Sequence, residues 1–327
     1  MRIMEAQAVA RAWVAEQDGL EGAYLSGSTT WLPAGAELGV GSDVDIMVVT
    51  GRERPKLGKF RRDGVLLEVS YVTWEQLATP ERVLADYHLA GGLRTDTILA
   101  DPSGRLRALQ AEVERHYAEP QWVRRRCAEI ERRIADGLAG IDSDEQVMGW
   151  LFLTGVTTHV LLTAALHNPT VRLRYVSVRE LLIERGLPDA HEELLEVLGA
   201  VHLTPERVGV HLATMTRAFD AASAVEAPPY PFASDITPEA RPIAVDGGHA
   251  LVERGLHREA MFWIAATHAR CATILGAPAP GYRELLADLG ATSPVARARD
   301  TLAFLPRLRE LKELILAGPP VSSSDTG

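Results

Sequence analysis

Residues 23–49 read AYLSGSTTWLPAGAELGVGSDVDIMVV. An apolar run ends at Gly27-Ser28, a loop follows, and the chain re-enters an apolar segment at Ser42-Asp43-Val44-Asp45-Ile46. Side chains alternate faces along a strand, so a strand here sets Asp43 and Asp45 on one face and Val44 and Ile46 on the other. Two like charges side by side next to Val and Ile are unfavourable unless something positive sits between them. A hard divalent cation such as Mg²⁺ takes carboxylate oxygens and fills the rest of its shell with water and substrate phosphates. A bare D-x-D also suits a strand end with two solvated aspartates, and the residues upstream separate these readings.

Gly27-Ser28 follows a short β-type run, Gly22 to Leu25, and precedes Thr29-Thr30-Trp31-Leu32, which can open a short helix before Pro33. Glycine lets the backbone approach a ligand closely, and the N–H groups and hydroxyl of a strand-to-helix turn suit phosphate oxygens. A phosphate cradle and a carboxylate pair thus occur together.

These residues resemble the nucleotidyltransferases of the DNA polymerase β superfamily. The signature is an apolar residue with Gly-Ser or Gly-Gly, a variable loop, then acid-apolar-acid-apolar on the next strand. Leu25-Ser26-Gly27-Ser28 and Asp43-Val44-Asp45-Ile46 match it, over about the first third of the chain. The resemblance implies a third carboxylate on a later neighbouring strand. Glu68, within Val65-Leu66-Leu67-Glu68-Val69-Ser70-Tyr71, is the residue expected there, with Asp63 in the preceding turn as the alternative.

The chain has 327 residues, a length expected to hold about two domains. Its apolar share of 46% and charged share of 24% are those of an ordinary globular protein. A formal net charge of −10 argues against a nucleic-acid surface, which shows as a basic patch or stripe. The basic residues at 52–62 fall in one hairpin-like connection and read as a solvated loop. The two cysteines, Cys127 and Cys271, are far apart and have neither zinc nor redox spacing. Residues 147–166 approach the length of a membrane span, but their polar Thr and His side chains favour a buried bundle helix. The expected setting is the cytoplasm, with no nucleic-acid or membrane partner.

Residues 4–18 have apolar positions at helical spacing and are expected to cover one face of the sheet. Asp63-Gly64 is a turn signal before the Glu68 strand, so sequential strands there should pair antiparallel. Segments 74–77 and 80–90 read as helical, with Gly91-Gly92 as a stop, and 96–101 as a short strand. His88 and Arg94 flank that region, with an ordinary surface role as the leading reading and a place near the site as the alternative. From Arg105 the pattern is helical throughout, interrupted by a proline-rich stretch at 226–248 that reads as an ordered strap. Ser143 and Gln146 form a capping-box pattern before the long apolar helix. His167, His191, His202 and His211 have no metal-site spacing and read as structural.

The expected fold class is an α/β (α+β) catalytic domain with a small mixed sheet over 1–115. An all-helical bundle domain over 116–317 and a disordered tail over 318–327 follow, with the ligand cleft between the domains. The resemblance implies transfer of a nucleoside monophosphate, AMP from ATP, to a hydroxyl of a small molecule of aminoglycoside type, with release of pyrophosphate. Asp43, Asp45 and Glu68 would hold two Mg²⁺ ions, and Gly27 and Ser28 the phosphates. Family members also draw a cation and a general base from the helical domain. Arg172 and Arg174 are candidates for the first, or else a charged surface turn; Glu145 is a candidate for the second, or else a helix-dipole partner. The alternatives are a non-catalytic regulatory nucleotide-binding module and a protein-nucleotidylating enzyme.

Overall fold

The protein is described from a computed structural model, which covers residues 1–39 and 41–318. Most of the expected tail therefore lies outside the described residues. The fold is α+β, with a helical majority and a small mixed sheet of five strands. The chain divides into two compact units. The first comprises Met1–Arg126, Leu212–Ala250 and Thr267–Pro280; the second comprises Cys127–His211, Leu251–Ala266 and the chain from Gly281 onward.

The first unit opens with helix α1 (Ile3–Ala15), then β1 (Gly22–Ser26), β2 (Val44–Thr50), β3 (Gly58–Arg62) and β4 (Val65–Thr73). Helices α2 (Pro80–Ala85) and α3 (Tyr87–Leu93), strand β5 (Ile98–Ala100) and helix α4 (Arg105–His116) follow. The strand order is β3-β4-β2-β1-β5. Strand β2 runs parallel to β4, while β1 with β2, β1 with β5 and β3 with β4 are antiparallel. The basic connection at 52–62 was expected as a loop, and its second half is the edge strand β3. The Asp63-Gly64 turn, with both residues at positive φ, pairs β3 with β4. That geometry matches the right-handed twist of a two-residue hairpin. Because β3 intervenes, the Asp strand and the Glu68 strand are parallel partners.

Each sheet face carries its own apolar layer, as the period-two alternation requires. Ala6, Ala10 and Val14 of α1 pack with Leu25, Val44, Ile46, Leu67 and Val69. On the other face Tyr24, Val49 and Val72 pack with Val83, Leu84, Leu93, Leu106, Leu109 and Val113. Two helices stand where one was expected at 80–90. Asp86 ends α2 in an extended conformation and caps α3, accepting from the N–H groups of His88 and Leu89 at 2.9 and 3.1 Å. Gly91 and Gly92 lie inside α3 and do not stop it. A Cβ on Gly92 would sit 2.9 Å from the Tyr24 ring, so glycine permits the close approach of α3 to β1.

The remaining helices are α5 (Pro120–Ala139), α6 (Val147–Ala164), α7 (Arg174–Glu184), α8 (Asp189–Leu198), α9 (Pro205–Ser223), α10 (Gly247–Glu253), α11 (His257–Leu275), α12 (Tyr282–Asp288) and α13 (Pro294–Leu316). Helix α6 is long and apolar enough to cross a membrane by length and composition, yet most of it is buried inside the protein. Its buried Thr154 hydroxyl meets that of Thr301 on α13 at 2.8 Å. It starts at Val147, later than the capping-box pattern implies. The Gln146 side chain closes a preceding turn by accepting from the Asp142 and Ser143 N–H groups.

The proline-rich stretch carries short 3-10 turns at Ala233–Asp235 and Pro238–Ala240 and a π-helical turn at Pro242–Asp246. Ile236, Ala240, Ile243, Ala244 and Val245 are buried, which anchors it within the first unit.

Candidate active site

The register of the sheet builds the site. Ser26 of β1 lies opposite Asp45 of β2, Asp45 opposite Glu68 of β4, and Glu68 opposite Lys59 of β3. Residues directly opposite across a ladder share a face, so these four form one row over four adjacent strands. Asp43, two residues before Asp45, joins the row from the β2 entrance. Asp43, Asp45 and Glu68 each offer an oxygen within 4.8 Å of the others. Asp63 is exposed in the hairpin turn and takes no part.

The charge on this cluster is partly balanced from within. The Lys59 Nζ lies 2.6 Å from Glu68, 3.2 Å from Asp43 and 3.0 Å from Asp235, and its side chain is only 6% exposed. Lys56 pairs with Glu68 as well. Asp235 arrives from the proline-rich stretch and is held in turn by the buried guanidinium of Arg270 at 3.2 Å. These four partners escaped sequence reading. The available signal was the alternation Lys59-Phe60-Arg61 directly before a hairpin turn, which is a strand pattern despite its basic composition. Nothing local marks Asp235 or Arg270.

Three carboxyl groups so close titrate unequally. Burial raises the Asp45 carboxyl well above its ordinary value, and the neighbouring Asp43 and Glu68 charges push it further. Burial also raises Asp43, against the pull of Lys59. Glu68 is buried too, but the ammonium groups of Lys59 and Lys56 outweigh that and hold it low. Burial would lower Lys59; Asp43, Asp235 and Glu68 reverse this and keep it protonated.

The donor set fits a hard divalent cation. Asp45 is raised first by burial and then by its two acidic neighbours, has no ion pair of its own among the described residues, and offers an oxygen within 4.8 Å of Asp43 and Glu68, as a shared hard cation requires.

The turn after β1 completes this end of the sheet. Gly27 adopts φ 66°, and a Cβ there would lie 1.7 Å from Asp45 Oδ2. Ser28–Thr30 form a 3-10 turn in which the Thr30 hydroxyl donates to the Gly27 carbonyl at 2.9 Å. Arg94 is more than a surface residue. It donates to the Thr30 carbonyl at 2.5 Å and to the Gly91 carbonyl at 2.8 Å, and its guanidinium stacks 3.5 Å over the Trp31 ring. It thereby ties α3 to the Gly27-Ser28 turn.

The residues expected from the helical part belong to the second unit. Glu145 is exposed, its N–H donating to the Ser143 hydroxyl at 3.2 Å. Arg174 is buried, with Nε donating to the Val171 carbonyl at 2.7 Å and the guanidinium 4.0 Å over the Phe262 ring. Arg172 is half-buried in the turn just before α7. No protein-family model matches this chain, and no curated protein matches it.

Proposed function

We propose that this protein is a metal-dependent nucleotidyltransferase. It moves the nucleoside monophosphate of a triphosphate, ATP in the leading reading, to a hydroxyl of a small molecule and releases pyrophosphate. The observation that carries the reading is the parallel pairing of β2 and β4, which sets Asp45 directly opposite Glu68 and leaves Asp43 beside them.

In this reading the acceptor hydroxyl oxygen bonds to the α-phosphorus, and the bond from that phosphorus to the oxygen bridging the β-phosphate breaks. The hydroxyl proton passes to a carboxylate oxygen or to water. Asp43, Asp45 and Glu68 would hold Mg²⁺, two ions in the full arrangement. When bound, the ions supply Lewis-acid stabilisation of the attacking and leaving oxygens. The backbone N–H groups after Gly27 and the Ser28 hydroxyl bind phosphate oxygens, and Arg94 holds that turn in shape. The net charge of −10 suits a polycationic acceptor of aminoglycoside type.

The test is pyrophosphate release with Mg²⁺, each of the four ribonucleoside triphosphates and a panel of hydroxylated acceptors, beside an Asp43→Ala, Asp45→Ala double variant. Acceptor-dependent release that the double variant loses is the expected result and reports donor preference. Metal-dependent nucleotide binding without turnover favours a non-catalytic nucleotide-binding module. Label found on an acceptor protein by mass spectrometry favours a protein-nucleotidylating enzyme. Absence of both metal and nucleotide binding overturns the site.

A further inference from the structure

Lys59 is unusual among the charged groups of the first unit because it faces three carboxylates at once, all within 3.2 Å, from the edge strand β3. Two of the three, Asp43 and Glu68, belong to the metal-fitting triad. The third, Asp235, does not, and it is held independently by Arg270. Strand β3 passes close under this arm, since a Cβ on Gly58 would lie 2.6 Å from the Ser234 Cβ. Lys59 is therefore shared between the triad and a fixed carboxylate outside it.

We propose that Lys59 is an internal counter-ion of the triad, and that Asp235, anchored by Arg270, is a positioning residue that sets how strongly Lys59 competes with a metal ion. This inference rests on the metal-site reading of Asp43, Asp45 and Glu68 and adds the residues that govern its loading. The physical basis is electrostatic. An ammonium and a divalent cation that share the same carboxylate oxygens repel each other and divide the same negative charge. In so buried a place solvent screens this repulsion only weakly. A carboxylate on the far side of Lys59 offers the ammonium a second partner and lessens its hold on Glu68 and Asp43. Without that carboxylate the full charge of Lys59 falls on the triad.

Two substitutions should then act in opposite directions. Lys59→Met keeps the length of the aliphatic stem, removes the competing charge, and is expected to tighten Mn²⁺ binding by about tenfold or more. Asp235→Asn keeps the shape of the arm, leaves Lys59 to the triad alone, and is expected to weaken Mn²⁺ binding by a comparable factor. In the Lys59→Met background Asp235→Asn should change Mn²⁺ affinity little, since its effect passes through Lys59. A purely structural role for the two residues predicts the same sign for both variants.

The experiment is a titration of the full-length protein and the three variants with Mn²⁺, followed by electron paramagnetic resonance of the free ion. Thermal unfolding with and without Mn²⁺ is recorded on the same samples. The expected order of affinity is Lys59→Met above wild type above Asp235→Asn, with the double variant near Lys59→Met. Weaker binding in Lys59→Met than in wild type, with both folded, overturns the inference and leaves the metal site standing. If Lys59→Met fails to fold, a shift of Asp235→Asn towards tighter binding, or none, overturns it equally. No Mn²⁺ binding by wild type or by any folded variant overturns both the inference and the proposed function.

Discussion

A Cβ atom on Gly27 would lie 1.7 Å from Oδ2 of Asp45. The glycine of the turn and the central carboxylate of the triad are thus packed against each other, and the Gly27-Ser28 turn and the metal-fitting cluster form one object. Gly27 also sits at φ 66° with ψ −164°, a conformation that a side chain strains.

Gly27→Ala should consequently damage the site before it damages the fold. Asp45 must move or the turn must open, so Mn²⁺ affinity and any transferase turnover should fall at least about a hundredfold. The fold should lose about 1–3 kcal/mol. Chemical denaturation and metal titration of the same variant separate the two effects. An alanine variant with unchanged metal affinity would refute the tight coupling of Gly27 to Asp45.

Arg94→Ala should loosen the turn at residues 28–31. It removes the bonds to the Thr30 and Gly91 carbonyls and the stack on Trp31, a loss of about 1–3 kcal/mol for a half-buried group of this kind. Hydrogen exchange read by mass spectrometry should show the gain in mobility at residues 27–32 and in α3. Protection unchanged there, with loss only elsewhere, would remove Arg94 from this role.

His191 should give the second unit a pH-dependent stability. Burial pushes its imidazole down to about 4; Glu192 opposes this, and Arg179 and Arg258 reinforce it. Between about pH 4 and about pH 6.5 the unfolded chain binds a proton here that the folded chain does not, so stability rises with pH across that window. It is full above about 6.5, and up to about 3 kcal/mol is lost on acidification to about pH 4. His191→Gln should flatten that part of the pH profile in denaturant titrations, and an unaltered slope would show that other groups cause it.

Gly155→Ala tests the packing that buries Arg174. An added Cβ would meet the Phe262 ring at 2.6 Å and Nη1 of Arg174 at 2.5 Å. Overpacking of this kind costs about 1–3 kcal/mol. A lowered midpoint with an unchanged denaturant slope is the expected outcome, and a neutral variant would mean that α6 and α11 part there easily.

The acid pair and the glycine turn were legible in residues 25–46 because each rests on local chemistry: period-two alternation for Asp43 and Asp45, backbone freedom for Gly27. Glu68 was legible through its place within an apolar strand. Lys59 was not, because a basic run looks solvated unless its counter-charges are known. Its carboxylate partners stand just before β2, on β4 and on an arm 176 positions away in sequence. The same distance hid the return of 212–250 and 267–280 to the first unit, since the helical pattern from Arg105 onward carries no information on which segments pack together. Arg174 illustrates the converse. Its position after a turn suited either a phosphate-contacting cation or a charged surface turn, but its stem and guanidinium are covered by Phe262 and Phe152. The break between α2 and α3 escaped because Asp86 reads as one more polar helix residue until its capping geometry is seen.

The arm that carries Asp235, together with Arg270 behind it, orders the events of synthesis. A ribosome has made the whole sheet and its three acids by residue 100, but the partner of Lys59 emerges 176 positions after it, and Arg270 later still. Until then Lys59 has only the triad acids as partners and β3 is an edge strand without its arm, a state open to strand pairing with neighbouring chains. The site therefore waits on the last segment of its unit, Thr267–Pro280, although its acids are among the first residues made.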